Sequence, residues 1–151
     1  MWIENYKVVC ELRNMFGEST NSAASDNEIM LFVGGVVDVL GKKIPNELQE
    51  IYRVTMGIEF NGHILYGIDS EYLVEPPIQK VHGLIEMNLI WREKNVCFEK
   101  YIFIAEHDLS WFVYDTEEKK YFELDIPSKY SITTYSDIDD MLRAFFLRAT
   151  K

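Results

Sequence analysis

Apolar and polar positions alternate with two periods along this chain. From Trp2 to Phe16 the apolar residues Ile3, Tyr6, Val9, Cys10, Leu12, Met15 and Phe16 recur at helical steps, which predicts a first helix. The polar stretch "GESTNSAASDN" follows as a loop. Ser25 and Glu28 have the spacing of a capping box, opening a second helix with Ile29, Phe32, Val33, Val36, Val37 and Leu40 on its apolar side. Gly34 and Gly35 interrupt it; they either permit close packing or divide it into two short helices. In "KKIPNELQEIYRVTMG" a third helix is expected, with Pro45 in its first turn, Leu48, Ile51, Tyr52 and Met56 as its buried stripe, and Gly57 as the left-handed residue that ends it.

The pattern then changes to a period of two. Ile58 to Phe60 reads as a short strand, Asn61-Gly62 as a type I′ turn, and His63 to Ile68 as the return strand, with Gly67 at a bulge or a close backbone approach. Pro76-Pro77 excludes a central strand, and Ile78, Val81, Leu84, Ile85, Leu89 and Trp91 predict a fourth helix from Ile78 to about Glu93. Three alternating segments follow, "KYIFIAEH", "SWFVYDT" and "YFELDI", with turns at His107–Leu109 and Glu117–Lys120. The last helix carries Ile138, Leu142, Phe145 and Ala149, with Ser136 as cap and Asp139 three residues on.

Strands joined in sequence by short turns are antiparallel. The expected class is α+β: a mostly antiparallel sheet of about five or six strands, with helices packed mainly on one face. The 151 residues suit one domain, and no linker or repeat divides them. A hydrophobic content of 48% is enough for one sizeable core. No apolar run approaches the ~20 residues of a membrane span. The N-terminus has an early Glu4 and lacks the basic and apolar regions of a signal peptide. Two cysteines, Cys10 and Cys97, stand far apart and are expected to be reduced, partly buried thiols in a cytoplasmic protein.

The net charge of −10 argues against direct binding to nucleic acid or to an anionic membrane. It favours solubility and attraction to a basic partner. The segment "GIEFNGHILYGIDS" has three glycines but neither the Lys-Ser/Thr of a phosphate loop nor a G-x-G-x-x-G spacing. His63, His82 and His107 fall on separate elements, without the clustered spacing of a zinc site. No G-x-S-x-G elbow is present, and Asp139-Asp140 and Glu117-Glu118 are accounted for by helix capping and by solvation. No cofactor and no catalytic residue is expected. Aromatic residues make up 14% of the chain; Tyr101, Phe103, Trp111 and Tyr121, with Val113, form either core or one exposed sheet face.

The run "IPNELQEIYRVTMGIEFNGHILYGID" resembles the signature of the SUKH superfamily, through Ile44, Pro45, Leu48, Ile51, Tyr52, Gly57, Phe60, Gly67 and Ile68. The segments "IEMNLIWRE", "YIFIAE", "WFVYDTEEKKYFELD" and "YSDIDDMLRAFF" look like its later helix, its strand meander and its closing helix. The resemblance runs from about Asp26 to the C-terminus and is nearest to the YrhA-like branch. It implies a non-enzymatic domain, an immunity protein that binds and neutralises a cognate bacterial toxin, which for many members is a nuclease. The fungal relatives imply an alternative, a regulatory scaffold for an endogenous partner. A small-ligand binder or enzyme is a third reading. The expected partner is a protein toxin, bound by a monomer or weak homodimer. The expected contact residues are acidic and aromatic ones near strand ends: Asp69, Glu71, Tyr72, Asp115, Glu117 and Glu118.

Overall fold

The hairpin anticipated at Asn61-Gly62 is present, and both residues have positive φ (53° and 78°) as a type I′ turn requires. It joins β1 (Ile58–Phe60) to β2 (His63–Leu65). In the computed structural model, which describes Met1–Lys151, these two strands begin a six-stranded sheet. The others are β3 (Tyr101–His107), β4 (Ser110–Asp115), β5 (Lys120–Asp125) and β6 (Ser131–Tyr135). Every neighbouring pair is antiparallel, and the order across the sheet is the order in the chain. The α+β class with a mostly antiparallel sheet therefore stands.

Five α-helices accompany the sheet: α1 (Trp2–Met15), α2 (Asp26–Leu40), α3 (Asn46–Gln49), α4 (Leu84–Lys94) and α5 (Ile138–Ala149). Their placement departs from the expectation of a single covered face. Trp111 and Phe112 are consecutive in β4 and so point to opposite sides. Trp111 meets Trp91 of α4 and Phe98, with ring centroids 5.2 and 5.4 Å apart. Phe112 meets Phe145 of α5 at 5.2 Å. Helical cover is thus divided between the two faces, and Phe103, Trp111, Val113 and Tyr121 are core rather than an exposed face.

The capping box at the start of α2 is formed, with Glu28 N–H donating to Ser25 Oγ and Ser25 N–H to Glu28. The helix runs unbroken through Gly34 and Gly35. Gly35 is a packing residue: a Cβ there would lie 2.1 Å from the hydroxyl of Tyr72, whereas Gly34 faces open space.

Five local expectations are corrected. The third helix is a single α turn, α3, followed by a 3₁₀ turn at Glu50–Arg53, and Pro45 stands at its N-cap rather than inside it. Gly57 does not end that helix. It has φ 118° and lies against Gly67, so close that a Cβ on it would be 2.7 Å from the Gly67 Cα. The fourth helix begins at Leu84, not Ile78. Gly67 N–H donates to His82 C=O and Leu84 N–H to Gly67 C=O, which holds the chain extended up to Gly83; Ile78 and Leu89, expected in the buried stripe, are exposed. The last helix is capped by Asp137, which accepts from Asp140 N–H, while Ser136 bonds to the Asp140 carboxylate. Both cysteines are free, as expected, but Cys97 is exposed instead of partly buried.

Candidate functional site

The loop after β2 turns back along α2 and delivers a 3₁₀ turn, Ser70–Tyr72, against it. Tyr72 is seated in the notch at Gly35 and meets Phe32 edge-on at 6.1 Å. One residue before that turn, Asp69 is buried and caps α4. Its two carboxylate oxygens accept from Ile85 N–H and Glu86 N–H, each at 3.0 Å. Gly83 makes this reach possible, because a Cβ there would lie 2.2 Å from Asp69 Oδ2. Burial raises the pKa of Asp69, against the two amide bonds that favour its ionised form.

Between this turn, the Pro76-Pro77 loop and the exposed sides of α2 and α4 lies a half-open cleft of about 870 Å³. Val39, Val81 and Leu89 supply apolar wall; Glu71, Glu86 and Lys80 supply charge. None of these three charged side chains makes an ion pair or a side-chain hydrogen bond within the protein. The Tyr72 hydroxyl is held above its ordinary pKa by burial and then by Glu71, Asp69 and Asp38, a mark of the negative field at this place.

Three of the six residues anticipated as contacts, Asp69, Glu71 and Tyr72, are therefore brought together. Asp69 is turned inward as a helix cap, so Glu71 and the edge of Tyr72 are what this group presents. The other three sit elsewhere, at the β4–β5 hairpin. Asp115 is buried, accepting from the Glu117 and Glu118 N–H groups at 2.8 and 3.0 Å. Glu117 and Glu118 are exposed on the hairpin tip. Sequence reasoning missed Glu86, Lys80, Val39, Val81 and Leu89 as partners of the first group. The signal for Glu86 lay in its position two residues past Leu84, but only a helix starting at Leu84 reveals it.

A second polar cluster was also missed. His63 and His107, read as unrelated in sequence, face each other with ring centroids 5.0 Å apart. Their tautomers are set by the backbone. His63 Nδ1 lies 3.1 Å from Asn61 C=O, which can only accept, so Nδ1 carries the proton. His107 Nδ1 accepts from Leu109 N–H, so its Nε2 carries the proton, 3.8 Å from Glu123 Oε2. Burial and then His63 lower the pKa of His107.

Glu123 is itself 2% exposed and receives Arg148 of α5 in a two-pronged pair at 2.5 and 2.7 Å, Ser110 Oγ at 2.7 Å and Tyr135 at 3.0 Å. Burial acts to raise the pKa of Glu123, and the bonds from Arg148 and Ser110 outweigh it, so the carboxyl lies below its ordinary value. Serine, histidine and carboxylate meet here, but in the wrong order for nucleophilic catalysis, since the buried Ser110 donates to Glu123 and not to an imidazole. The cluster anchors α5 to the sheet.

Asp137, Asp139 and Asp140 also come together, at the start of α5. Capping and Arg143, which pairs with Asp139 and Asp140, account for them. No helix is long and apolar enough to cross a membrane. No protein-family model matches the chain, and no curated protein matches it.

Proposed function

We propose that this protein is a non-enzymatic binding protein that neutralises a basic protein partner, as an immunity protein of the SUKH kind neutralises a bacterial toxin. The observation that carries the reading is the cleft between α2 and α4. There an aromatic edge, apolar wall and two unpaired carboxylates, Glu71 and Glu86, adjoin one another in a chain of net charge −10. Apolar surface with charge left uncompensated is how a binding face is built. The resemblance of the Ile44–Asp69 segment to the SUKH signature supports the same reading. Toxins that cut nucleic acid carry basic active surfaces, and an acidic protein is steered to them.

Co-expression with the product of the gene beside this one, tested first for toxicity on its own, tests the proposal. Rescue of growth together with co-purification of the two chains is expected. Failure of both would sink it.

The size of the cleft favours one second reading, a small-ligand site, because ligand pockets fall in roughly the 300–1,000 Å³ range. Thermal stabilisation by a metabolite, in the absence of any protein partner, is the result that would support it.

A further inference from the structure

Glu71 and Glu86 are exposed and unpaired on a cleft whose lining also carries the aliphatic side chains of Val39, Val81 and Leu89. Asp69 adds a third carboxylate behind them, and Lys80 is the one cation on the lining. The walls matter as much as the charges. Val39 and Leu89 keep 46% and 44% of their surface exposed, one on each side of the opening. A short cation such as a free ammonium ion gains nothing from such walls. A long side chain with an aliphatic stem and a charged end satisfies both, with the stem against Val39 and Leu89 and the head between the carboxylates.

We propose that the cleft is a receptor for a single arginine side chain presented by the partner. The inference rests on the binding role argued above and names what its site recognises. The guanidinium suits it better than an ammonium because it is more weakly hydrated and can divide its five N–H donors between two carboxylates. Lys80, at the rim, repels a second cation, so one arginine is accommodated rather than a basic run.

The experiment uses the full chain labelled with nitrogen-15 and two blocked tripeptides, acetyl-Gly-Arg-Gly-amide and the same peptide with neutral citrulline in place of arginine. The arginine peptide is expected to shift the amides of 69–72 and 84–89 in a saturable way by about 10 mM, with citrulline binding at least tenfold weaker. Glu71→Gln with Glu86→Gln should abolish the shifts; Glu4→Gln with Glu11→Gln on α1 should not. Equal shifts from the two peptides, shifts spread over the acidic surface at large, or no shifts at all would overturn the inference.

Its outcome is separable from that of the toxin reading. Arginine binding with neither rescue of growth nor co-purification would retain the cleft and reject the toxin. Rescue that survives Glu71→Gln with Glu86→Gln would do the reverse.

Discussion

Asn88 of α4 bonds both backbone groups of Phe103 in β3: its Oδ1 accepts from Phe103 N–H at 2.8 Å and its Nδ2 donates to Phe103 C=O at 2.9 Å. The two residues meet where β2 leaves β3. The last ladder bond there is Tyr66 N–H to Ile104 C=O, after which the chain turns away toward Gly67. The edge of β3 would be left with an unpaired donor and acceptor in a buried place. The carboxamide of Asn88, itself fully buried, reproduces the two bonds a strand would have made. A third bond, Nδ2 to Leu84 C=O at 2.8 Å, ties the same side chain to its own helix.

Replacing Asn88 by leucine, similar in volume but unable to bond, leaves two buried backbone groups without partners. Each is worth roughly 1–3 kcal/mol, so a loss of about 3 kcal/mol is expected from urea denaturation. Asn88→Asp should cost at least as much, since it keeps the acceptor but removes the donor and buries a charge. A loss under about 1 kcal/mol for Asn88→Leu would show that β3 does not depend on this carboxamide.

The adjacent glycines of α2 should respond in opposite directions. Gly34 faces open space, so Gly34→Ala removes only the helical penalty of glycine and should stabilise by about 0.5–1 kcal/mol. Gly35→Ala would drive a methyl group into the Tyr72 ring and hydroxyl. The helical gain is then opposed by displacement of the Ser70–Tyr72 turn, and net destabilisation of about 1–3 kcal/mol is expected. Thermal unfolding of both variants checks this. Equal stabilisation by the two would mean that Tyr72 does not rely on the notch.

How much of this could be read from the sequence follows from the range of the interactions involved. Asn61-Gly62 and the Ser25–Glu28 box are fixed by residues within three positions, and both were legible. So was the β3–β5 meander, whose alternation is a local period. β6 was not singled out, although Ile132, Thr133 and Thr134 are a β-branched run suited to a strand. The fourth helix was drawn six residues too long because Ile78 and Val81 continue the apolar period of Leu84 and Ile85. What stops the helix there is the Gly67–Gly83 pairing and the cap from Asp69, both made by residues about 15 positions away. For the same reason the sequence presents Asp69 as a surface contact. Nothing near it in the sequence marks it as the cap of a distant helix, and only the fold joins Glu71 and Tyr72 to Glu86.

The His63–His107 pair predicts a pH dependence of stability. Folding lowers the pKa of His107, chiefly by burial, below its unfolded value near 6.5. The unfolded chain therefore binds more protons than the folded one once pH falls through that value. Stability is full above it and is lost as pH drops toward the folded pKa, at a slope of at most about 1.4 kcal/mol per pH unit for one group. His107→Gln should flatten the curve between pH 7 and 5. Glu123 acts in a lower window and with the same sign: its pKa is depressed in the fold, so its contribution is present above the ordinary carboxylate range and disappears below it. Urea titrations at half-unit steps of pH separate the two. An unchanged slope above pH 5 in His107→Gln would remove His107 from the account.

The two acidic surfaces can be set against each other directly. Glu71 and Glu86 flank the cleft, whereas Glu117 and Glu118 stand on the tip of the β4–β5 hairpin, beside Lys119 and Lys120. The hairpin carboxylates have cations as chain neighbours, and the smaller crevice that Glu117 lines, with Val96 and Cys97, also carries Lys42 and Lys100. The cleft carboxylates adjoin Val39, Val81 and Leu89, with Lys80 as the only cation on the lining. If recognition needs both features, Glu71→Lys with Glu86→Lys should weaken partner binding by about 100-fold or more, because a matched charge becomes a repulsive one close to the contact. Glu117→Lys with Glu118→Lys should change it by less than about threefold, through long-range steering alone, and that effect should fade between low and physiological salt as screening shortens its reach. All four positions are exposed, so neither variant threatens the fold, and circular dichroism can verify this before binding is measured. Affinity for the partner recovered in the co-expression test, followed by surface plasmon resonance at two salt concentrations, gives the comparison. A larger effect from the hairpin pair would move the binding face from the cleft to the far end of β4.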